Sequence, residues 1–176
     1  MTQSAEDDRE MLKRLPKEAL LDLFFYHIRN LWRVDGLYFF GIEEKCGIEA
    51  ATEIDANCWK ILGKLEARDL KELLDVKTID VATILYILQN TSWALYQKKK
   101  VAKVEGSQGI FRVTECRTQL SRLSKGLPEF PCKEVRLKYL QNFARALNPN
   151  FEVTCNVCPP DKHAQNLWCE WAFKQK

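Results

Sequence analysis

Apolar residues between Pro16 and Leu74 recur at spacings of three and four, as the stripe of an amphipathic helix requires. Leu20, Leu23, Phe24, Ile28, Leu31 and Trp32 form the first run. Pro16 stands where a helix start tolerates a missing N–H. A second run, Leu37 to Cys46, closes at Gly47, a helix-stop residue. A third, Ala50 to Leu74, predicts a buried stripe of Ile54, Cys58, Ile61, Leu62 and Leu65. A short helix over Ile79 to Leu88 carries Asp80 near its electropositive end. Beyond Asn90 the period changes. Trp93 to Glu105 is rich in Trp, Tyr and Val, Glu105 to Ile110 reads as a hairpin turn, and Ile110 to Leu123 alternates as a strand. After a loop at Gly126 to Pro131, a helix over Val135 to Leu147 shows the apolar face Leu137, Leu140, Phe143, Ala144 and Leu147, and Asn148-Pro149-Asn150 stops it. Two strands follow, Phe151 to Val157 and Leu167 to Phe173. The predicted architecture is α+β. A helical N-terminal lobe over residues 1–90 precedes a mostly antiparallel sheet packed with one long helix over residues 91–176, together forming one compact domain.

Composition narrows the function classes. With 176 residues, 46% hydrophobic and 29% charged, the chain describes a globular domain rather than a fibrous or disordered one. The net charge of +3 conceals an asymmetry. Residues 1–90 hold 12 Lys/Arg against 17 Asp/Glu, a balance of −5, whereas residues 91–176 hold 15 against 7, a balance of +8. The acidic start Glu6-Asp7-Asp8 argues against a secretion signal, and the longest uncharged run, Val81 to Gln97, is interrupted by Gln89-Asn90-Thr91-Ser92. A membrane span needs about 20 predominantly apolar residues. A cytoplasmic protein without a membrane anchor is the expectation. Lys98-Lys99-Lys100 with Lys103 reads as a guarded edge strand rather than a nucleic-acid surface.

Seven cysteines are many for such a chain. Five of them, Cys116, Cys132, Cys155, Cys158 and Cys169, lie in the C-terminal half. The run Cys155-x2-Cys158-x4-His163-x5-Cys169 is close to zinc-knuckle spacing, and two thiolates three residues apart across a turn can share one ion. The segment lacks the glycines and stacking aromatic with which a knuckle binds RNA. Strand alternation offers a competing account, in which Cys155 and Cys169 face inward as small buried hydrophobes. Cys46 and Cys58 read as plain helix packing. Cys132, just ahead of a helix and beside Lys133 and Arg136, is placed where a thiolate is stabilised. The predicted metal ligands are Cys132, Cys155, Cys158 and Cys169, with Cys116 and His163 in reserve. Zinc and an iron–sulfur cluster suit four thiolates equally.

Catalytic alternatives are sparse. The chain has no Gly-rich phosphate loop, no HExxH and no GxSxG, and it lacks the paired Glu-x-x-His of di-iron bundles. A cysteine dyad would need a histidine within reach. Of His27 and His163, the second lies in the loop that could close over Cys132. Asp35 interrupts an apolar run and reads as a helix cap before Gly36, or else as a group in a site with Glu66.

Two sets of residues carry a family resemblance over nearly the whole chain. One is Trp32 to Phe39, Glu66-Ala67-Arg68 and Phe111 to Arg117; the other is Gly126 to Lys133, Cys155 to Asp161 and Trp168 to Trp171. They resemble an uncharacterised family of cytosolic archaeal and bacterial proteins. More distantly, the C-terminal pattern is similar to aminothiazoline-carboxylate hydrolase-like proteins and to 4-vinyl-reductase-type small-molecule-binding domains. In both, cysteines stand before a helix and near the start of the last strand, where Cys132 and Cys169 stand here. The resemblance implies a pocket for a small ligand or a cysteine-bound metal.

Three functions follow as expectations. The first is a binding module with a cysteine-ligated metal and a small-ligand pocket. The second is a hydrolase opening a cyclic or amide C–N bond, with Cys132 as nucleophile and Asp35, Glu66 or His163 as acid/base groups. The third is a thiol-redox or ligand sensor with a reversible Cys155–Cys158 disulfide. Edge strands admit a homodimer.

Overall fold

A computed structural model describes residues 3–176 as two compact units, Met1–Tyr38 and Phe39–Lys176. The first contains helix α1 (Gln3–Lys13) and the opening turns of α2 (Lys17–Leu73). Pro16 precedes α2, and its carbonyl accepts from Leu20 N at 3.0 Å, as the first helical bond should. The helix runs unbroken through Gly36, so Asp35 caps nothing and sits mid-helix. The break falls instead at Gly47, whose φ of 86° and ψ of 167° lie outside the helical region. A glycine inside a helix costs only about 1 kcal/mol relative to alanine, so Gly36 is carried by its neighbours.

The second unit continues with α3 (Val81–Gln89), α4 (Ser92–Tyr96), β1 (Lys99–Glu105), β2 (Gln108–Glu115), α5 (Arg117–Leu123), α6 (Cys132–Leu147), β3 (Phe151–Val157) and β4 (Cys169–Gln175). The α+β class expected from the period change is the class observed. Asp80 caps α3 through a capping box with Thr83 at 2.8 Å. One segment read as strand is helical in its later part, and a short helical turn precedes the sheet. Thr91 caps a five-residue turn across Trp93, and the extended run after Ile110 ends at Glu115, where Cys116 starts α5.

The four described strands form one antiparallel sheet of order β1-β2-β4-β3. The last strand therefore inserts between β2 and β3 and is fully paired. Its inner face carries Cys169, Trp171 and Phe173, opposite Val113, Phe111 and Gly109 of β2. Along β3, Phe151 and Val153 are buried and Cys155 half-buried, while Glu152 and Thr154 are exposed, the alternation of a one-sided strand. β1 is an edge, with Lys98 and Lys99 paired to Glu115 and Lys103 to Glu105. α3 packs on β1, β2 and β4, and α6 on β3.

The face of α2 that is buried in the second unit is not the expected one. Thr52, Ala56, Trp59, Gly63 and Ala67 are covered, whereas Ile54, Cys58, Ile61 and Leu65 are exposed. Cys46 is exposed as well. Small residues allow the close approach of a neighbouring helix. A Cβ placed on Gly63 would lie 2.5 Å from the carbonyl oxygen of Tyr139 on α6, a backbone atom that no rotamer change can move.

Arg122 anchors the loop that leads into α6. Its guanidinium makes two bonds to Glu43 of α2, at 2.7 and 2.9 Å, and a third to Pro128 O at 2.9 Å. The Gln119 amide adds a reciprocal pair with the Phe130 backbone, at 2.9 and 2.8 Å. The Arg122 bonds hold the Glu43 carboxyl below the usual carboxylate range. Because that pKa is depressed in the fold, the stability it contributes is complete above the ordinary carboxyl range and is lost as pH falls through the folded value.

Two predictions follow from this packing. Glu43→Gln should cost about 1–3 kcal/mol at pH 7, and urea midpoints should show that difference shrinking toward pH 3. Gly63→Ala should destabilise by about 1–3 kcal/mol despite its better helix propensity. Gly41→Ala, where a Cβ meets nothing within 4 Å, should instead raise stability by up to about 1 kcal/mol. Calorimetry of the two variants reads the opposite signs.

Candidate thiol cluster and its aromatic surround

The N-terminus of α6, the end of β3 and the start of β4 meet at one end of the sheet. Pro131 occupies the N-cap of α6 and offers no side-chain cap, so neighbours satisfy the first amides. Cys132 N donates to Phe130 O at 2.7 Å, and Lys133 N donates to Pro159 O at 2.9 Å. The second bond ties the helix to the turn after β3, itself closed by Asp161 N to Cys158 O at 2.9 Å. The Lys133 ammonium meets the Asp161 carboxylate across the same junction at 2.8 Å.

This junction gathers the cysteines. The buried Cys158 thiol lies near enough to the thiols of Cys132, Cys155 and Cys169, on three different elements, for each to act on its ionisation. Those contacts, led by Cys132 and reinforced by burial, push the Cys158 thiol far up, so it keeps its proton. The same contacts work in the other direction on two of its partners. Cys158, with the Arg136 guanidinium behind it, holds Cys132 below the usual thiol range against the cost of burial and the charge of Asp55. Cys155 is lowered by Cys158 and then by Lys133, against partial burial and the charges of Asp161 and Cys132. Cys116 lies alongside, and burial pushes its thiol up to about 12, helped by the negative character of Cys132 and Cys169.

All seven cysteines are free thiols. Among the described residues no group of three or more His, Cys, Asp or Glu side chains stands in metal-coordinating geometry. What stands there is a group of neighbouring thiols whose central member, Cys158, keeps its proton.

A second feature adjoins the first. Cys132, Arg136 and Tyr139 follow one another along α6, and Arg136 is buried with its guanidinium 3.9 Å from the Trp59 ring and within 5.5 Å of Trp93 and Tyr139. The Tyr139 hydroxyl donates to Glu66 at 2.7 Å, and Glu66 also accepts from Ser92 N at 2.8 Å. Burial and then the Glu66 charge raise the Tyr139 phenol well above its usual range. Trp171, opposite Phe111 across the sheet, is fully buried, and its indole N–H has no hydrogen-bond partner among the described residues.

The sequence-derived site residues therefore separate. Cys132, Cys155, Cys158 and Cys169 come together, with Cys116 beside them. His163 does not join. Its Nε2 faces Glu129 at 3.3 Å, its Nδ1 meets Ala164 O at 3.0 Å, and its ring leans on Trp168. Glu66 is engaged by Tyr139 and Ser92, and Asp35 belongs to the first unit. Arg136 and Trp59, central to the aromatic surround, were missed as site residues. Arg136 entered the sequence reading only as a charge near Cys132.

With that geometry described, comparison with known proteins becomes informative. A family of unknown function, DUF6125, matches residues 13–175. The chain belongs to the DUF6125 family. No curated protein matches this DUF6125 chain. Among solved structures it is similar to the phenol-responsive sensory domain of the transcription activator PoxR, determined with phenol. The TM-score is 0.53 at 14% identity, over 81% of this chain and 73% of that one. At that identity the likeness is one of fold. Neither comparison carries the hydrolase-like resemblance. Among the described residues no helix is long and apolar enough to cross a membrane.

Thiol reactivity tests the electrostatics of the cluster. In metal-free protein at neutral pH, a pulse of iodoacetamide should label exposed Cys46 and half-buried Cys155, and spare Cys116 and Cys158. Lys133→Met removes a cation that lowers Cys155, so Cys155 labelling should slow while Cys46, the internal control, is unchanged. Peptide mass spectrometry gives the ratio.

Proposed function

We propose that this chain is a small-ligand-binding sensor module whose C-terminal cysteines hold a thiolate-bound metal. The observation that carries the reading is the convergence of Cys132, Cys155 and Cys169 on the buried Cys158 thiol. Four soft donors from a helix start, a strand end, a turn and a second strand start are the donor number and type that zinc or an iron–sulfur cluster uses. Bound there, a metal would supply cross-linking, and in the cluster case redox chemistry as well. The chain's own residues supply the rest. Lys133 and Arg136 offset the negative charge of deprotonated thiols, and Cys116 stays a neutral neighbour.

The ligand side of the proposal rests on the aromatic surround. Trp59, Trp93 and Tyr139 with a buried guanidinium and a Tyr–Glu hydrogen bond are groups suited to a small aromatic molecule bearing a polar substituent. The fold shared with a phenol-responsive domain supports the same class. Cys132 and Tyr139 on one helix would link metal and ligand.

Metal analysis of anaerobically purified, tag-free protein is the test. Stoichiometric zinc, or iron with sulfide, is expected, and Cys158→Ala should abolish it and lower the melting temperature, while Cys46→Ser should do neither. Because Cys158 holds its proton in the metal-free state, binding must release protons, and affinity should rise with pH and fall as pH is lowered. Metal-free protein with an unchanged melting temperature after Cys158→Ala would overturn the metal reading. In that case a second reading gains: lowered Cys155 beside Cys158 is the arrangement of a reversible disulfide. Thiol counting after mild oxidation would then show a loss of two thiols, absent in Cys155→Ser.

A further inference from the structure

α2 presents two apolar faces within the second unit, and only one of them is covered. The uncovered face is Ile54, Cys58, Ile61 and Leu65, with Ile54, Ile61 and Leu65 exposed by 46%, 63% and 42%. An apolar stripe on a surface helix implies something packed against it.

We propose that this face pairs with the same face of a second copy of the chain, antiparallel, about a two-fold axis passing between Cys58 and Ile61. Spacing is the first argument. The steps from Ile54 to Cys58 to Ile61 to Leu65 are four, three and four residues, the same read from either end. An antiparallel pair therefore sets Ile54 against the partner's Leu65, and Cys58 against the partner's Ile61, in both halves of the interface at once. Such self-complementarity is what an isologous dimer contact needs.

Charge is the second argument, and it is independent of the first. Exposed Glu49 and Glu53 lie at one end of the stripe, and exposed Lys64 and Arg68 at the other. At 100° per residue, Glu53 and Lys64 fall on the same flank of the helix, about three turns apart. Flanks of the same kind face each other in an antiparallel pair, so Glu53 comes beside the partner's Lys64. The break at Gly47 leaves these turns as one regular helix from residue 48 onward.

Light scattering and sedimentation of the full chain should give twice the 20.5 kDa chain mass. Ile61→Glu should convert it to monomer with unchanged circular dichroism, because that side chain touches solvent in the single chain. Glu53→Lys and Lys64→Glu should each weaken association several-fold to about ten-fold. The double variant should restore it, and an equimolar mixture of the two single variants should form mixed dimers. A monomer at high micromolar concentration, or a dimer indifferent to Ile61→Glu, would overturn the proposal. Failure of the double exchange to restore pairing would overturn the antiparallel register.

Discussion

The close approach at Gly63 governs the second unit. With no side chain there, α2 meets the backbone of α6 at Tyr139, and the residues on either side are brought into register. Trp59 comes beneath Arg136 at 3.9 Å, and Glu66 comes within 2.7 Å of the Tyr139 hydroxyl. Asp55, one turn earlier on α2, is near enough to oppose the ionisation of Cys132. Three polar pairings thus depend on one missing methyl group. Their order along α2 and α6 is the same, so a shift at Gly63 would displace all three together.

Burying Arg136 in that register carries a cost that aromatic faces and the Cys132 sulfur offset. A desolvated guanidinium over an indole is worth about 2 kcal/mol or more, and the hydrogen bond to Cys132 draws that thiol toward the anion. The arrangement ties two chemistries to one residue. Arg136 cannot leave the Trp59 ring without also altering the acidity of Cys132, and deprotonating Cys132 strengthens the hold on Arg136.

Much of this was legible in the sequence where chemistry is local. Asp80 at the start of its helix, the Glu105–Ile110 turn, the stop at Asn148 and the alternation in β3 each depend on a few adjacent residues, and each stands as expected. What the sequence did not show was which side of α2 is inside. Ile54, Ile61 and Leu65 outscore Ala56, Gly63 and Ala67 in any hydrophobic pattern, yet the small residues are buried. Periodicity reports the apolar faces of a helix and not which of them its own chain covers. His163 failed as a site residue for a similar reason: loop residues take partners, here Glu129 and Trp168, that no spacing rule encodes.

α6 is the element through which the thiol cluster and the aromatic surround communicate. Its first turn carries Cys132 and is bonded to the Pro159 carbonyl, while Arg136 and Tyr139 lie one and two turns further on. Closely packed interiors answer perturbation by switching between discrete arrangements rather than by stretching. On the proposed reading, a change in protonation or ligation at Cys132 would reach Tyr139 through α6, which is seated tightly against Gly63. Reciprocity requires the reverse: whatever engages Arg136 or Tyr139 changes the affinity of the cluster by the same factor. The proposed sensor would need such a linkage, and a rigid helix seated on a glycine is suited to supply it.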